Sequence, residues 1–209
     1  MLMEGEYMRF FKNNSYDIVK LYVNQIGIAI FATVLYTAVG SMGEAKVINA
    51  LNMAISIFSI LFYFVLIYNV CWEYGAKDKI RIDAGRLEYD KIKGIKMSLL
   101  ASVPNVVISG ICVLTAVIYK LASAEFAAVI SGVLNFFMRI TLSMYLGVVQ
   151  AVFGAFDSVA DASFIGAGIA FTLISVFSVA VTHIGYTFGV KNFKILSLFS
   201  KNSVKDLNK

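Results

Sequence analysis

The stretch "WEYGAKD" (residues 72–78) ends a long apolar run and opens a charged segment. Aromatic residues are enriched at membrane–water interfaces, and lysine and arginine are enriched in cytoplasmic loops. The stretch therefore predicts the cytoplasmic end of a membrane span. A similar stretch, "YTFGVKN" (residues 186–192), lies near the C-terminus and predicts a second such end on the same side.

The composition places the chain in a membrane. Of its 209 residues, 59% are hydrophobic and 15% are charged, and there is one proline. Soluble domains carry about 25% charged residues, so the apolar excess must be buried in lipid. We expect an integral membrane protein of the all-α class, with residues 1–209 in a single membrane domain.

The apolar runs set the predicted helices. A helix needs roughly 20 apolar residues to cross a hydrocarbon core of about 30 Å. Four runs meet this length, and a further stretch, 126–156, is interrupted by Arg139 and is long for one span but short for two. The six predicted spans are 19–40, 47–72, 97–119, 121–138, 140–156 and 164–188.

The distribution of charge decides between six spans and five. Six spans, with the chain turning near Arg139, place 16 of the 18 lysines and arginines inside, as the positive-inside rule favours. Residues 73–96 then form a basic cytoplasmic loop, and 189–209 form a cytoplasmic tail. Five spans, with Arg139 on one long tilted helix, are the alternative. We expect a bacterial plasma membrane location with both termini cytoplasmic.

The two similar stretches are 114 residues apart. At the same offset, residues 19–40 fall on 133–154, and a short acidic loop follows each of these two segments. One interpretation is a two-helix hairpin repeated in the same orientation, as in transporters built from parallel repeats. The other is that spans ending on the cytoplasmic side share aromatic residues and lysine for topological reasons alone.

Polar residues recur at one predicted depth, about 6 to 14 Å above the inner interface by helical rise. Polar side chains in membrane helices face protein or water, so this layer is the candidate ligand-binding site. The same residues could instead hold the bundle together through interhelical hydrogen bonds. The candidate residues are Asn24, Gln25, Asn69, Asn105, Arg139 and His183.

Arg139 is the strongest of these candidates because arginine keeps its charge in proteins. It must reach the interface, meet a carboxylate or line water. We expect it at an inner turn, where it either binds an anionic ligand or extends to the lipid headgroups.

No catalytic motif is present. The sequence lacks a Walker-type loop, HExxH, a nucleophile elbow and a CxxC pair. We therefore expect no enzyme, no catalytic residue, no metal site and no cofactor.

The basic loop carries seven basic and four acidic residues between Lys77 and Lys96. This charge suits anionic headgroups of the inner leaflet, whereas nucleic-acid binding is not expected. Small residues at Ala162, Gly166 and Ala170, and at 185 and 189, predict close helix packing. They could also seat a partner subunit or a second copy of the chain.

Together these features predict a small multi-pass membrane protein that transports or binds a polar or anionic small molecule through an inward-facing polar cavity. The alternative is a non-catalytic scaffold or accessory subunit of a larger membrane complex.

Overall fold

The computed structural model describes residues 2–40 and 44–193, with side chains from Met8 onward. Most of the predicted tail, 189–209, lies outside the described residues. Every regular element within the described residues is helical, which confirms the all-α class. The elements are α1 (Leu2–Gly40), α2 (Ala45–Asp83), α3 (Lys93–Ala122), α4 (Glu125–Thr141), a 3₁₀ turn (Ser143–Tyr145), α5 (Leu146–Phe153) and α6 (Ala162–Val190).

Four of these helices, α1, α2, α3 and α6, are long and apolar enough to cross a membrane. The fifth apolar stretch is a pair of helices, α4 and α5 with the 3₁₀ turn, bent by 83°. Six spans are therefore wrong. With 8 residues, α5 is about 12 Å long, far less than a hydrocarbon core of about 30 Å.

The helix directions show how the bent pair is connected. α3 and α6 are antiparallel, because Ser102 Oγ donates to the carbonyl of Ser175 at 3.0 Å and Thr172 Oγ1 donates to Ser109 Oγ at 2.9 Å. A single crossing between two spanning helices would make them parallel. The α4–α5 segment therefore enters and leaves at the same end of the bundle, as a re-entrant hairpin.

The tip of this hairpin lies inside the bundle. Ser143 Oγ donates to the carbonyl of Ala29, which is about 14 Å along α1 from Lys20. The predicted turn near Arg139 is thus displaced to residues 142–145, and it lies at mid-depth. α1 and α3 run one way while α2 and α6 run the other, so the start of α1 and the end of α6 share one end.

We name the two ends of the bundle by their charge. The lysine-rich end holds the start of α1, residues 77–96 and Lys191. The acidic end holds Glu44, Glu125 and residues 154–161.

α2 and α6 pack in parallel with their backbones in contact. A side chain at Gly75 would collide with the carbonyl of Tyr186 and lie 2.9 Å from Gly189 Cα. A side chain at Gly189 would collide with the carbonyl of Trp72 and lie 2.9 Å from Gly75 Cα. Each glycine thus meets the residues that are equivalent to its own neighbours in the other helix, 114 positions away. The two similar stretches are therefore related by a local twofold axis.

The relation does not extend to a repeated hairpin. Residues 19–40 form part of the continuous helix α1, whereas their counterparts 133–154 are broken at the 3₁₀ turn. Of the two segment pairs that the offset of 114 residues relates, only the ends of α2 and α6 thus have matching structures.

We expect Gly75→Ala and Gly189→Ala to destabilise the protein by about 1–3 kcal/mol each, because an overpacked contact forces the helices apart. Gly110→Ala and Gly132→Ala are matched controls, since a methyl group at either position meets nothing within 4 Å. Thermal unfolding in detergent measures the difference. If the Gly75 and Gly189 variants melted at the same temperature as the Gly110 and Gly132 variants, the close contact between α2 and α6 would be wrong.

We expect a cysteine at position 123 and one at position 158 to label from the same side of the membrane, because the re-entrant hairpin between them returns the chain to the acidic end. Ser123→Cys and Ser158→Cys, in a chain with Cys71 and Cys112 replaced by alanine, test this with an impermeant maleimide on intact cells. The positive-inside rule predicts external labelling at both positions. Labelling of the two positions from opposite sides would show that α4 and α5 together cross the membrane once.

Candidate functional site

The predicted polar layer is only partly assembled. Gln25 and Asn105 are buried, and Asn24 and His183 are half-buried, whereas Asn69 is exposed on the outer surface of the bundle. Asn69 therefore faces away from the other members of the layer.

Arg139 lies on α4 just before the mid-depth turn at residues 142–145, and not at the inner turn that the sequence predicted. Its guanidinium donates to the carbonyl of Phe156 at 3.0 Å and to Asp157 Oδ1 at 2.7 Å, and it stacks 4.3 Å from the centre of the Phe156 ring. The physical reason is the broken helix, which brings residues 156 and 157 back to α4. Arg139 thereby fixes the segment that connects α5 to α6.

The inner layer closes on itself through small hydroxyl residues. Along α3, buried residues recur at alternating spacings of four and three, at Ser98, Ser102, Asn105, Ser109 and Cys112. Most of these hydroxyls donate to a carbonyl four residues earlier in their own helix, as Ser102 does to Ser98 at 2.9 Å and Ser109 to Asn105 at 2.8 Å. Two of them also join α3 to α6, since Ser102 donates to the Ser175 carbonyl and Ser109 accepts from Thr172, which favours the interhelical interpretation for this part of the layer.

Asn105 is the exception. Its side chain is 1% exposed, and neither its Nδ2 nor its Oδ1 has a hydrogen-bond partner among the described residues. An unpaired buried amide costs about 1–3 kcal/mol. Buried atoms of three other members of the predicted layer, Asn24 Nδ2, Arg139 Nε and His183 Nδ1, also have no hydrogen-bond partner among the described residues, but only Asn105 has both polar atoms of its side chain unpaired.

Asp78 is a buried charge that the sequence analysis treated as part of a topological marker. It accepts from Lys93 Nζ at 2.7 Å and from the Tyr186 hydroxyl at 3.0 Å, and its side chain is 5% exposed. The ion pair joins α2, α3 and α6 just beyond the Gly75–Gly189 contact. The ion pair therefore connects three helices at the lysine-rich end, where the inward cavity was expected.

A polar cavity of about 410 Å³ lies instead near the acidic end, between the start of α2 and α5. We call it the amide pocket because three primary amides line it. Its lining residues are Asn49, Asn52, Gly147, Gln150, Ala151, Gly154 and Ala155.

The re-entrant helix positions one wall of the amide pocket. The Gly147 backbone N–H donates to Ser56 Oγ at 2.8 Å and to the Tyr36 hydroxyl at 3.1 Å. The Gly147 backbone also lies against the carbonyl of Asn52, so α5 is seated directly on α2. Only glycine allows so close an approach.

The amide pocket offers hydrogen bonds without charge. Each primary amide has an acceptor oxygen and two N–H donors, and none of the seven lining residues is ionisable. Asn52 Oδ1 is buried and has no hydrogen-bond partner among the described residues. The arrangement suits a neutral solute that carries an N–H or O–H group.

The sequence carries a weak signal for this site that the analysis did not use. Asn49 and Asn52 are three residues apart, which places them on one face of α2, and Gln150 lies between two glycines in "GVVQAVFG". Their convergence depends on the break in the helix. Among the described residues, no group of three or more His, Cys, Asp or Glu side chains is arranged to hold a metal ion.

The comparisons with known proteins found no matching family model, no matching curated protein and no matching solved structure.

We expect Arg139→Gln to loosen the segment 154–161, because it removes a charged group that holds both Phe156 and Asp157. Hydrogen bonds to a charged group are worth about 2 kcal/mol, so amide hydrogen exchange there should accelerate about 30-fold. Asp157→Asn keeps the bond to the Phe156 carbonyl and should have a smaller effect. Lys120→Gln, an exposed change at the same end, is the control, and unchanged exchange in Arg139→Gln would contradict the role.

Proposed function

We propose that the protein binds or transports a small, neutral, polar molecule at the amide pocket. The observation that carries this proposal is the position of the pocket beside α5, the short helix that follows the break, whose backbone at Gly147 lies against α2 and whose end at Gly154 lines the pocket. Non-helical backbone at membrane depth is tolerated where it is buried in protein or lines a water-filled cavity. Discontinuous helices also form the substrate sites of many transporters.

The lining chemistry supports a neutral ligand over an anionic one. The described residues that line the pocket include no cation, and the guanidinium of Arg139, the predicted anion contact, is engaged by Phe156 and Asp157. The amides can orient a ligand through both donors and acceptors. Binding is proposed rather than catalysis, because the lining residues include no nucleophile or general base.

The direction of access differs from the sequence expectation. The ion pair of Asp78 with Lys93 lies at the lysine-rich end, whereas the amide pocket lies at the acidic end. With the lysine-rich end in the cytoplasm, as the positive-inside rule favours, the proposed site faces outward. The plasma-membrane location and the cytoplasmic termini belong to the same proposal.

The alternative, a scaffold or accessory subunit, has one observation in its favour. Phe31, Phe58 and Phe62 form an exposed aromatic cluster on α1 and α2, with ring centroids 6.2 to 6.5 Å apart. The glycines at 185 and 189, however, are used within the chain, against α2. That seam is therefore not available to a partner.

We expect Asn52→Ala and Gln150→Ala each to weaken solute binding about five- to tenfold, the loss of one hydrogen bond of about 1 kcal/mol. The measurement is thermal stabilisation of the purified protein, and uptake into liposomes, with urea, acetamide, glycerol and glucose as probes and acetate as the charged comparison. Asn69→Ala is the matched control, because that amide is exposed on the outer surface.

The same assay tests the inward cavity. His183→Ala and Asn105→Ala should leave the response to the probes unchanged if the ligand sits in the amide pocket. If these two variants lose the response to the probes while Asn52→Ala and Gln150→Ala keep it, the ligand binds in the inner layer and not in the amide pocket. Co-purification of a stoichiometric partner, with no response to any probe, would favour the scaffold.

A further inference from the structure

An apolar groove follows the seam between α3 and α6 on the outer surface of the bundle. It consists of two adjoining cavities of about 430 and 540 Å³ that share Ile95 and Val176. We call it the α3–α6 groove. Its walls on α3 include exposed apolar residues, Leu99, Val103 and Val107, which are 45 to 49% exposed.

The groove has the extent of a lipid chain. It follows α3 from Ile92 to Val107, a rise of about 22 Å, compared with about 15 Å for the hydrocarbon of one leaflet. Its surroundings at this depth are the apolar faces of membrane helices. An acyl chain fits such a groove, whereas a soluble ligand would gain nothing from it.

Two nitrogen-bearing side chains mark the lysine-rich end of the groove. Lys96 lines the first cavity and His183 lines the second. Lys96 Nζ donates to Asp90 at 3.0 Å, and its side chain is 21% exposed. The Lys96 ammonium also lies 5.5 Å from the centre of the Phe10 ring on α1. A lysine has three N–H donors, so Lys96 retains donors for a further anionic group.

The local charge favours an anion at this end. Residues 77–96 carry seven basic and four acidic side chains, and Lys91 is exposed. Basic pockets between membrane helices on the cytoplasmic side bind anionic lipid headgroups. Asp90 is the opposing charge, since it competes for Lys96.

The geometry points to a specific site for an anionic phospholipid, with an acyl chain in the α3–α6 groove and the phosphate beside Lys96 and His183. This site is separate from the amide pocket and does not depend on the solute proposal. It goes beyond a general attraction of the basic loop to the membrane surface, because it requires the groove as well as the charge.

Two substitutions at the headgroup position give effects of opposite sign. Lys96→Gln removes the cation and should weaken phosphatidylglycerol binding about fivefold, since a basic residue near an anionic headgroup contributes about 1 kcal/mol. Asp90→Asn removes the competing carboxylate, while its amide oxygen can still accept the Ile92 N–H that Asp90 accepts at 2.9 Å. This variant should bind phosphatidylglycerol several-fold more tightly. If the two substitutions acted only by breaking the Lys96–Asp90 ion pair, both would change the affinity for phosphatidylglycerol in the same direction.

A third substitution tests the groove. Val103→Trp should fill the apolar channel and weaken binding of phosphatidylglycerol and phosphatidylcholine alike. Val65→Trp, on the exposed face of α2 where the side chain is 58% exposed, is the matched control. Lys120→Gln is the matched control for charge at the acidic end.

The experiment is a lipid titration of the full chain in detergent, followed by native mass spectrometry. The expected result is tighter binding of phosphatidylglycerol than of phosphatidylcholine, with the pattern of changes above and no change in the two controls. Equal binding of the two lipids by the wild type, or no effect of Lys96→Gln, would overturn the headgroup site. A dimer that Val103→Trp dissociates would show that a second copy of the chain, and not a lipid, occupies the groove.

Discussion

The contact between Gly75 and Gly189 brings the backbones of α2 and α6 together, and the rest of the bundle is arranged around it. Lipid chains are as apolar as the helices, so association in a membrane depends on van der Waals packing and close backbone approach. The reciprocal contacts of Trp72 with Gly189 and of Tyr186 with Gly75 require the two helices to run in parallel. That direction in turn requires the chain between α3 and α6 to enter and leave at one end.

The position of Asp78 follows from the same contact. One turn of α2 beyond Gly75, the carboxylate meets the Tyr186 hydroxyl from α6 and the Lys93 ammonium from the start of α3. A buried charge is tolerated when it is paired and hydrogen-bonded. The ion pair therefore gathers three helices at the lysine-rich end, and the amide pocket forms at the other end, where α5 does not reach across the bundle.

Arg139 and Asn105 show why the candidate site was only partly predictable. The depth of a residue can be counted from the nearest interface only if the helix is continuous and perpendicular to the membrane. Asn105 lies in the continuous helix α3 and is buried there, whereas Arg139 precedes a break and contacts residues 156 and 157. The amide pocket escaped prediction for the same reason, because its amides come from two segments that only the re-entrant hairpin brings together.

The sequence by itself determined the membrane setting, the all-α class, the four long apolar helices and the sharing of one end by the start of α1 and the end of α6. These follow from hydrophobic length and from the distribution of lysine and arginine, which are local properties of the chain. Only the tertiary structure decided that the stretch 126–156 is a bent re-entrant pair, that Asp78 is buried, and that the polar pocket lies near the acidic end. These depend on contacts between segments as far apart as Gly75 and Gly189, and no local pattern specifies which helix a given face will meet.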